Sequence, residues 1–453
     1  MECKCIAVCF YTNLKPQYCR FRWVLCQLEL LRHCFPPSVW RILDELPESL
    51  DETYERILRE IRKPNQGHAH RLLQCLVAAV RPLQVTELAE VLAFDFNTEG
   101  IPKLIPDWRW EDQEEAVMSA CSSLVMIVKH GDSRVVQFSH FSVKEFLTGG
   151  RLAEPIRDVS RYHIRLEAAH TILVRACLGV LLELDDRVDR DSMKSFPLAR
   201  YAALEWATHA RIENVSSRIK DGMECLFDAD KPHFATWLWI YNVDRWGRSM
   251  LTMRPEEPEA VPIYYAAMLG FRDLVEHFIA ERPQHATVSG GLEVTPLHVA
   301  ASEGHSDVLP LLIEHGADIN GLGRYGDTPL HRASENARLE VGRFLLNRGA
   351  NVDVQNDFNN TALVYTAILG HAEFARMLLE RGAMIDARSG HDRTPLHWAA
   401  ESGRTEVVRL LLERGADVHV RDEDDCTPSA LASNRGHREI VELLSGCDSL
   451  SVK

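Results

Sequence analysis

The C-terminal part of the chain repeats one pattern of apolar and polar positions every 33 residues. A threonine opens each block, usually followed by proline, and then by Leu and Ala at helical spacing. Threonine is a good helix N-cap, and proline fits the first helical position, so each block predicts a short helix. A glycine and a second apolar run follow, such as 407–412, which ends in Gly-Ala. The pattern therefore predicts helix pairs closed by C-capping glycines. The recurring threonines are Thr295, Thr328, Thr361, Thr394 and Thr427.

The combination of period, caps and glycines resembles the ankyrin family from Val261 to about Gly446. The resemblance implies an ankyrin-repeat solenoid over 262–447, with five full repeats and a degenerate first one that begins at Val261-Pro-Ile-Tyr. Because a single repeat cannot bury its own apolar face, stacking must supply the stability. The block at Thr361 lacks both the proline and the histidine of its neighbours. We expect it to be weaker, by about 1 kcal/mol, and to be a candidate hinge.

Three histidines recur at one position of the repeats, at His298, His331 and His397. They could be metal ligands, or they could hydrogen-bond the backbone of the neighbouring hairpin. The chain has no His-Glu-x-x-His motif and no paired-cysteine spacing in this stretch, so the second interpretation is favoured.

Ankyrin partners contact the hairpin tips and the exposed side of each first helix, and the resemblance implies the same surface here. Tyr325 and Phe358 are aromatic, and Ile368 is apolar, at positions where solvent is expected. Exposed aromatics beside arginine are typical of interface hot spots, although Phe358 could instead pack on its own hairpin. The positions carried over are Arg324, Tyr325, Asp327, Glu335, Asn336, Asp357, Phe358, Asn360, Ile368, Leu369, His391, Arg393, Glu401, Ser402, Glu423, Asp424, Asn434 and Arg435.

The net charge of the repeats indicates which kind of partner can bind them. From Val261 to Lys453 the chain carries 18 Lys and Arg residues against 28 Asp and Glu residues, which favours a partner with a basic or mixed surface. The acidic run that begins at Asp422 is either a solvated tip or a docking site. The whole chain has a net charge of −15, so nucleic acid is an unfavourable partner. No apolar run reaches the ~18 residues that a membrane span needs, and we expect a cytoplasmic protein.

The stretch 41–150 predicts helices, then a hairpin, then a closing helix, and this order resembles a winged helix. His68 to Gly150 contains 7 basic against 11 acidic residues, which favours a packing role over DNA binding. The helix after Pro47 has Ser49 or Asp51 as its cap. The other predicted elements are helices at His70–Val80, Val85–Leu92 with Thr86 as cap and Ser142–Leu147, and strands at Leu124–Val128 and Val135–Phe138.

Four stretches of this half are similar to the segment downstream of the nucleotide-binding core in fungal NACHT–ankyrin receptors. The resemblance implies a signalling chain without its motor, with 1–40 as a helical remnant or tail, 151–253 as a helical connector and 254–261 as a linker. It also implies fungal origin and possible association with full-length NACHT relatives. The stretches begin at Leu46-Pro-Glu-Ser-Leu-Asp-Glu, Arg71-Leu-Leu-Gln-Cys-Leu, Arg81-Pro-Leu-Gln-Val-Thr and Phe138-Ser-His-Phe-Ser-Val.

Such receptors hold a nucleoside triphosphate on a glycine loop that ends in Gly-Lys-Ser or Gly-Lys-Thr. Here no glycine is followed by lysine, and no Gly-x-Ser-x-Gly elbow occurs. The acidic stretch at Leu181 to Asp186 then predicts a charged helix end. Six N-terminal cysteines with His33 could bind zinc, but their spacings fit no familiar tetrahedral site, and packing thiols are the alternative. These cysteines are Cys3, Cys5, Cys9, Cys19, Cys26 and Cys34.

The sequence therefore predicts a mostly α protein, with an ankyrin-repeat solenoid preceded by a helical and winged-helix-like region. Two functions remain open, both without catalysis, cofactor or metal. The first is a scaffold or sensor arm of a NACHT–ankyrin receptor, which binds a protein on the repeats. The second is an independent ankyrin adaptor that recruits a client protein to a helical platform. An enzyme with an unfamiliar site is the third and least favoured reading.

Overall fold

The computed structural model describes residues 49–98, 100–154, 158–185, 187–189, 191–245, 260–290 and 294–448. The predicted tail at 1–40, its cysteines and most of the linker at 254–261 lie outside these residues. The chain forms two compact units that divide between Glu256 and Glu257, and each is described by itself. Within the described ranges, no helix is long and apolar enough to cross a bilayer.

The N-terminal unit is mostly helical. Its helix α1 begins after Ser49, whose side chain accepts a hydrogen bond from the backbone N–H of Glu52 at 3.2 Å, so Ser49 is the cap. The helices are α1 (Leu50–Glu60), α2 (Gln66–Ala78), α3 (Val85–Glu90), α4 (Gln113–Cys121), α5 (Phe141–Thr148), α6 (Leu166–Glu183), α7 (Ala199–Ala210), α8 (Lys220–Leu226) and α9 (Pro232–Arg245).

Two small sheets complete the winged-helix part. Strands β4 (Val125–His130) and β5 (Ser133–Phe138) form the predicted hairpin. Strand β1 (Leu83–Gln84) pairs with the far side of β5, so that the order is β1-β5-β4. Gly131 turns this hairpin with φ +59°. A second, two-stranded sheet joins β2 and β3. The strands are β1 (Leu83–Gln84), β2 (Phe94–Asp95), β3 (Lys103–Leu104), β4 (Val125–His130) and β5 (Ser133–Phe138).

The predicted cap of α3 is wrong. Thr86 lies inside the helix, and Gln84 is the residue that precedes the first turn. The backbone N–H of Gln84 donates to the Glu87 carboxylate at 2.7 Å, and that carboxylate also binds Arg81. A capping box with a buried acid therefore replaces the hydroxyl cap that Thr86 suggested.

Residues after 150 pack into the same compact unit as the winged-helix part. Helix α6 contacts both α2 and α7. Gly179 allows α6 to approach the small sheet closely, because a Cβ there would lie 2.7 Å from the Phe94 ring and from the Pro102 carbonyl oxygen. The end of the unit is an aromatic cluster with ring centroids 5.3 to 6.1 Å apart. Its members are Trp206, Phe227, Phe234 and Trp237.

The C-terminal unit is a stack of helix pairs. Each first helix contacts the first helix of the next repeat, and each second helix packs on its own partner. The first helices are α10 (Pro262–Leu269), α12 (Pro296–Glu303), α14 (Pro329–Glu335), α16 (Ala362–Leu369), α18 (Pro395–Glu401) and α20 (Pro428–Arg435). The second helices are α11 (Arg272–Glu281), α13 (Leu309–Glu314), α15 (Leu339–Asn347), α17 (Ala372–Glu380), α19 (Thr405–Glu413) and α21 (Arg438–Asp448).

The recurring histidines have the predicted structural role. Nδ1 of His331 accepts from the backbone N–H of Thr328 at 3.1 Å, while Nε2–H donates to the Asn360 carbonyl at 2.9 Å. His298 and His397 make equivalent bonds to carbonyls of the next hairpin. Burial lowers the pKa of all three imidazoles, so the neutral form is favoured. Each of the three histidines therefore ties its own repeat to the following one.

The Thr361 repeat lacks this tie. Val364, fully buried, stands at the histidine position and has no polar side-chain atom to offer. Thr361 still caps the helix, since its hydroxyl oxygen accepts from the Val364 backbone N–H at 3.4 Å. The expected weakness of this repeat has a structural basis in the missing imidazole, and its size stays a prediction.

Candidate partner-binding surface

Two neighbouring hairpin tips carry an exposed aromatic pair. The rings of Tyr325 and Phe358 lie 5.7 Å apart between centroids, and the Arg324 guanidinium lies 4.5 Å from the centre of the Tyr325 ring. Tyr325 is 45% exposed and Phe358 is 54% exposed. Phe358 thus packs against the preceding tip and still presents about half of its surface to solvent. We call Arg324, Tyr325 and Phe358 the tip patch.

A second set of side chains lines the first helices of three consecutive repeats. Arg332, Tyr365 and Trp398 are 33 residues apart on α14, α16 and α18, and each is partly buried. We call these three residues the inner strip. None of the three was among the predicted contacts. Their signal was present: the position after the recurring His298, His331 and His397 changes from repeat to repeat, whereas core positions stay apolar.

Asp327 was predicted to face a partner, and this prediction is wrong. The residue is 1% exposed, and its carboxylate pairs with Arg332 at 3.1 Å. It also accepts from the Asn356 amide at 2.8 Å and from the Tyr365 hydroxyl at 3.2 Å. A buried carboxylate requires such partners, because desolvation without them is costly. Asp327 therefore holds two members of the inner strip in place from below.

The third member of the strip is held by a different network. Trp398 donates from its indole N–H to the Ser389 hydroxyl at 2.7 Å, and the Arg393 guanidinium lies 4.9 Å from its ring centre. Arg393 in turn pairs with Glu401 at 2.6 Å and with Asp422 at 3.0 Å. Arg393 and Glu401, both predicted partner contacts, are therefore largely occupied within the array.

The acidic run at the last tip divides into two kinds of residue. Asp422 is buried, and burial alone would raise its pKa. Hydrogen bonds from the Cys426 backbone N–H and from Arg393 outweigh that effect and lower the pKa. Glu423 and Asp424 remain exposed, and Glu423 pairs with the exposed His391 of the preceding tip.

The other predicted contacts lie on the same helices and hairpin tips as the inner strip. Glu335 pairs with Arg332 at 3.0 Å, and Asn336 is exposed and donates to the Ser302 hydroxyl at 3.1 Å. Ile368 is half-buried, whereas Leu369 is exposed. The structure thus brings the tip patch, the inner strip and these flanking residues onto the first helices and tips of adjacent repeats. The remaining carried-over positions are Asp357, Ser402, Asn434 and Arg435, of which only Ser402 is partly buried, and Asn360, whose carbonyl is used by His331.

The arrangement is suited to binding and offers aromatic faces, guanidinium groups and carboxylates. Tyr365 is not a ready proton donor, because burial, then the nearby Asp327 charge, raises the pKa of its hydroxyl. Across the described ranges, no group of three or more His, Cys, Asp or Glu residues is arranged to hold a metal ion.

Comparison with known families supports the two-part architecture. Residues 263–356 and 348–422 match the family described as ankyrin repeats in three copies. Residues 54–155 match the family described as the winged helix domain of GPI inositol-deacylase. The chain thus contains ankyrin repeats, starting in the degenerate first one, and a winged helix domain.

The chain is also similar to individual proteins. The chain is 34% identical over 295 residues to the azaphilone pigments biosynthesis cluster protein L of Monascus ruber, which covers 61% of each chain. Because the matched part of this chain is longer than either compact unit, the similarity extends into both units. Alpha-latrocrustotoxin-Lt1a of Latrodectus tredecimguttatus is 39% identical over 62 residues, or 14% of this chain and 4% of its own. Ankyrin repeat and SAM domain-containing protein 6 of Mus musculus is 36% identical over 74 residues, which are 16% of this chain and 8% of that protein. The chain therefore spans about three fifths of the fungal relative and little of the other two.

Proposed function

We propose that this chain is a non-catalytic interaction scaffold whose ankyrin array binds a protein partner on the inner strip and the tip patch. One observation carries the proposal: Arg332, Tyr365 and Trp398 occupy the same position on the first helices of three consecutive repeats, and hydrogen bonds or ion pairs within the array hold each of them. Groups that are already ordered lose little entropy on binding, so such a strip favours tight association. Trp, Tyr and Arg are also the residues most enriched in interface hot spots.

The charges around the strip describe the partner. Glu335, Glu401 and Glu423 border the aromatic side chains, and the array as a whole is acidic. A partner segment with apolar side chains and flanking basic groups would match this surface. Nucleic acid and membrane are not part of the proposal.

The cellular role that we favour is the sensor arm of a cytoplasmic NACHT–ankyrin signalling system. The support is the winged helix of a type found in NACHT proteins, followed by ankyrin repeats. Under this proposal the chain associates with full-length NACHT relatives, and the array supplies recognition.

A second candidate is an independent ankyrin adaptor that brings a client protein to the helical N-terminal platform. The name of the Monascus ruber relative ties that protein to a pigment biosynthesis cluster, which favours this candidate. The two proposals differ in the captured protein. The first expects a relative with a phosphate-binding loop, and the second expects an unrelated client.

The test uses the full chain as bait in an extract, with Tyr325→Ala combined with Phe358→Ala as the variant. Both side chains are half exposed, so we expect folding to be preserved and captured protein to fall about tenfold or more. Met384→Ala is the matched control, since Met384 is an exposed apolar residue outside the tip patch. If the double variant captures the same proteins as the wild type, the proposed surface is wrong.

The proposed lack of catalysis has its own test. Purified chain should hydrolyse ATP no faster than buffer alone, because no Gly-Lys pair is present to hold the phosphates. Turnover that rises in proportion to the amount of chain would contradict the proposal.

A further inference from the structure

The N-terminal unit contains a groove with a volume of about 300 Å³ that the proposed function does not use. It lies where α4, the start of α2 and the segment between β3 and α4 meet. A volume of this size is at the lower end of what ligand pockets need, and it suits one long side chain with its flanking backbone. The lining residues are Asn65, His68, Leu92, Trp108, Trp110, Ala116, Ser119 and Ala120.

The wall of the groove displays two tryptophans. Trp108 is 47% exposed and Trp110 is 50% exposed. Arg109 between them points inward and pairs with the buried Glu90 carboxylate at 2.6 Å. Glu90 also accepts from the Leu198 backbone N–H at 2.6 Å, which fixes it to the helical part of the unit. Anchoring of the central arginine therefore turns both indoles outward.

The opposite side of the groove is small and uncharged. Ala116 and Ala120 of α4 form the floor with Leu92, so space remains in front of the indoles. His68 of α2 also lines the groove. Burial, and then the nearby Arg71 charge, lowers the pKa of His68 and favours its neutral form at neutral pH.

The segment that carries the two tryptophans, together with the first turn of α4, is mainly acidic. Asp107, Glu111, Asp112 and Glu115 are exposed on the same short segment and on the first turn of α4. The cation of this segment, Arg109, is already paired with Glu90, while Glu114 is paired with Arg134. A cation on this side of the groove would thus meet two half-exposed indoles and several exposed carboxylates.

We propose that this groove binds an arginine or lysine side chain presented by a basic segment of another protein. The cation lies against the indole faces, where cation–π attraction adds to that of the acids. The aliphatic stem of the same side chain covers the alanine floor. The acidic rim repels phosphate, which disfavours nucleic acid and anionic lipid as occupants.

The test measures binding of a fluorescein-labelled synthetic peptide of alternating arginine and leucine to the full chain, by anisotropy. Trp108→Ala with Trp110→Ala keeps the charge of the chain and should weaken binding about tenfold. The paired Phe replacements should retain most of the affinity. Glu111→Gln with Glu115→Gln should weaken binding and flatten its salt dependence. Met126→Ala, an exposed residue outside the groove, should change nothing.

Three results would overturn the proposal. The first is equal affinity of the wild type and the Trp-to-Ala variant, since the acidic chain alone would then explain the binding. The second is equal binding of a peptide that alternates glutamate and leucine. The third is attachment of the wild type, but not of the Trp-to-Ala variant, to phosphatidylcholine vesicles, which would assign the indoles to a membrane surface.

Discussion

The repeat array and the N-terminal unit are both built from short helices, but their contacts span very different distances along the chain. In the array, His331 reaches the Asn360 carbonyl, 29 residues away. In the N-terminal unit, Tyr54 hydrogen-bonds Ser142 across 88 residues, and Glu90 meets Leu198 across 108. Stability in a solenoid is a sum of neighbour terms, whereas contacts between distant residues form together. The two units should therefore respond differently to the same kind of damage.

The difference also decides how each unit makes a surface. In the array, the position of the inner strip recurs every 33 residues, so the proposed surface is long and regular. In the N-terminal unit, four separate stretches of chain meet at the tryptophan groove, so the surface is small and local. The first geometry suits an extended partner, and the second suits a single side chain.

The largest expected effect compares two core leucines. Leu411 of the array and Leu173 of α6 are both fully buried. Leu→Ala at either position should lower the free energy of unfolding by about 2–5 kcal/mol. Hydrogen exchange of the full chain should show faster exchange mainly in α18 to α21 for Leu411→Ala. For Leu173→Ala, the exchange rate should rise throughout the N-terminal unit. A uniform rise across all repeats in Leu411→Ala would break the comparison.

A smaller effect is expected at the buried acid of the array. Asp327→Ala removes one ion-pair partner of Arg332 and the acceptor for the hydrogen bonds of Asn356 and Tyr365. The free energy of unfolding should therefore fall by about 2 kcal/mol. Urea unfolding measures the loss. Asp357→Ala, on the exposed tip next to it, is the control and should stay within about 0.5 kcal/mol. Equal costs would show that Asp327 is not a structural anion.

Acid should destabilise the array through its histidines. Burial lowers the pKa of His298, His331 and His397 in the folded state, while the unfolded chain takes up protons from about pH 6.5. Their contribution is thus complete above about pH 6.5 and is lost as the pH falls from there towards the lower folded pKa values.

Thermal unfolding of the full chain at neutral and mildly acidic pH tests this dependence. A variant with glutamine at the three positions should be less stable at neutral pH but should lose less on acidification. In the N-terminal unit, burial lowers the pKa of His209 to about 3, so acid should also destabilise that unit. His209→Gln should reduce the acid sensitivity of the N-terminal unit and leave that of the array unchanged. Identical pH profiles for the wild type and the variants would contradict the assignment.

The smallest expected effect concerns the Thr361 repeat. Because Val364 cannot donate to the next hairpin, α16 and α17 should exchange faster than α14, α15, α18 and α19, by about 1 kcal/mol in opening free energy. Native-state hydrogen exchange measures this directly. Protection equal to that of the flanking repeats would remove this repeat as a hinge candidate.

The sequence predicted the array well because its signals are local and repeated. Threonine caps, left-handed glycines such as Gly304 and the histidine ties each depend on residues within one or two repeats. Asp327 was misplaced because its burial depends on Asn356 and Tyr365 of the next repeat. Thr86 was mistaken for a cap because Gln84 and Glu87 form the competing capping box, and Arg81 pairs with the Glu87 carboxylate. The tryptophan groove had no periodic signal, since its walls come from distant stretches.

The most direct test of the central claim is hydrogen exchange of the full chain with and without the protein that it captures. The account predicts protection at the tips and first helices, around residues 323–336, 356–369 and 389–402, and little change in the second helices α15 and α17. Protection confined to those second helices, or to the N-terminal unit with no change on the inner strip, would contradict it.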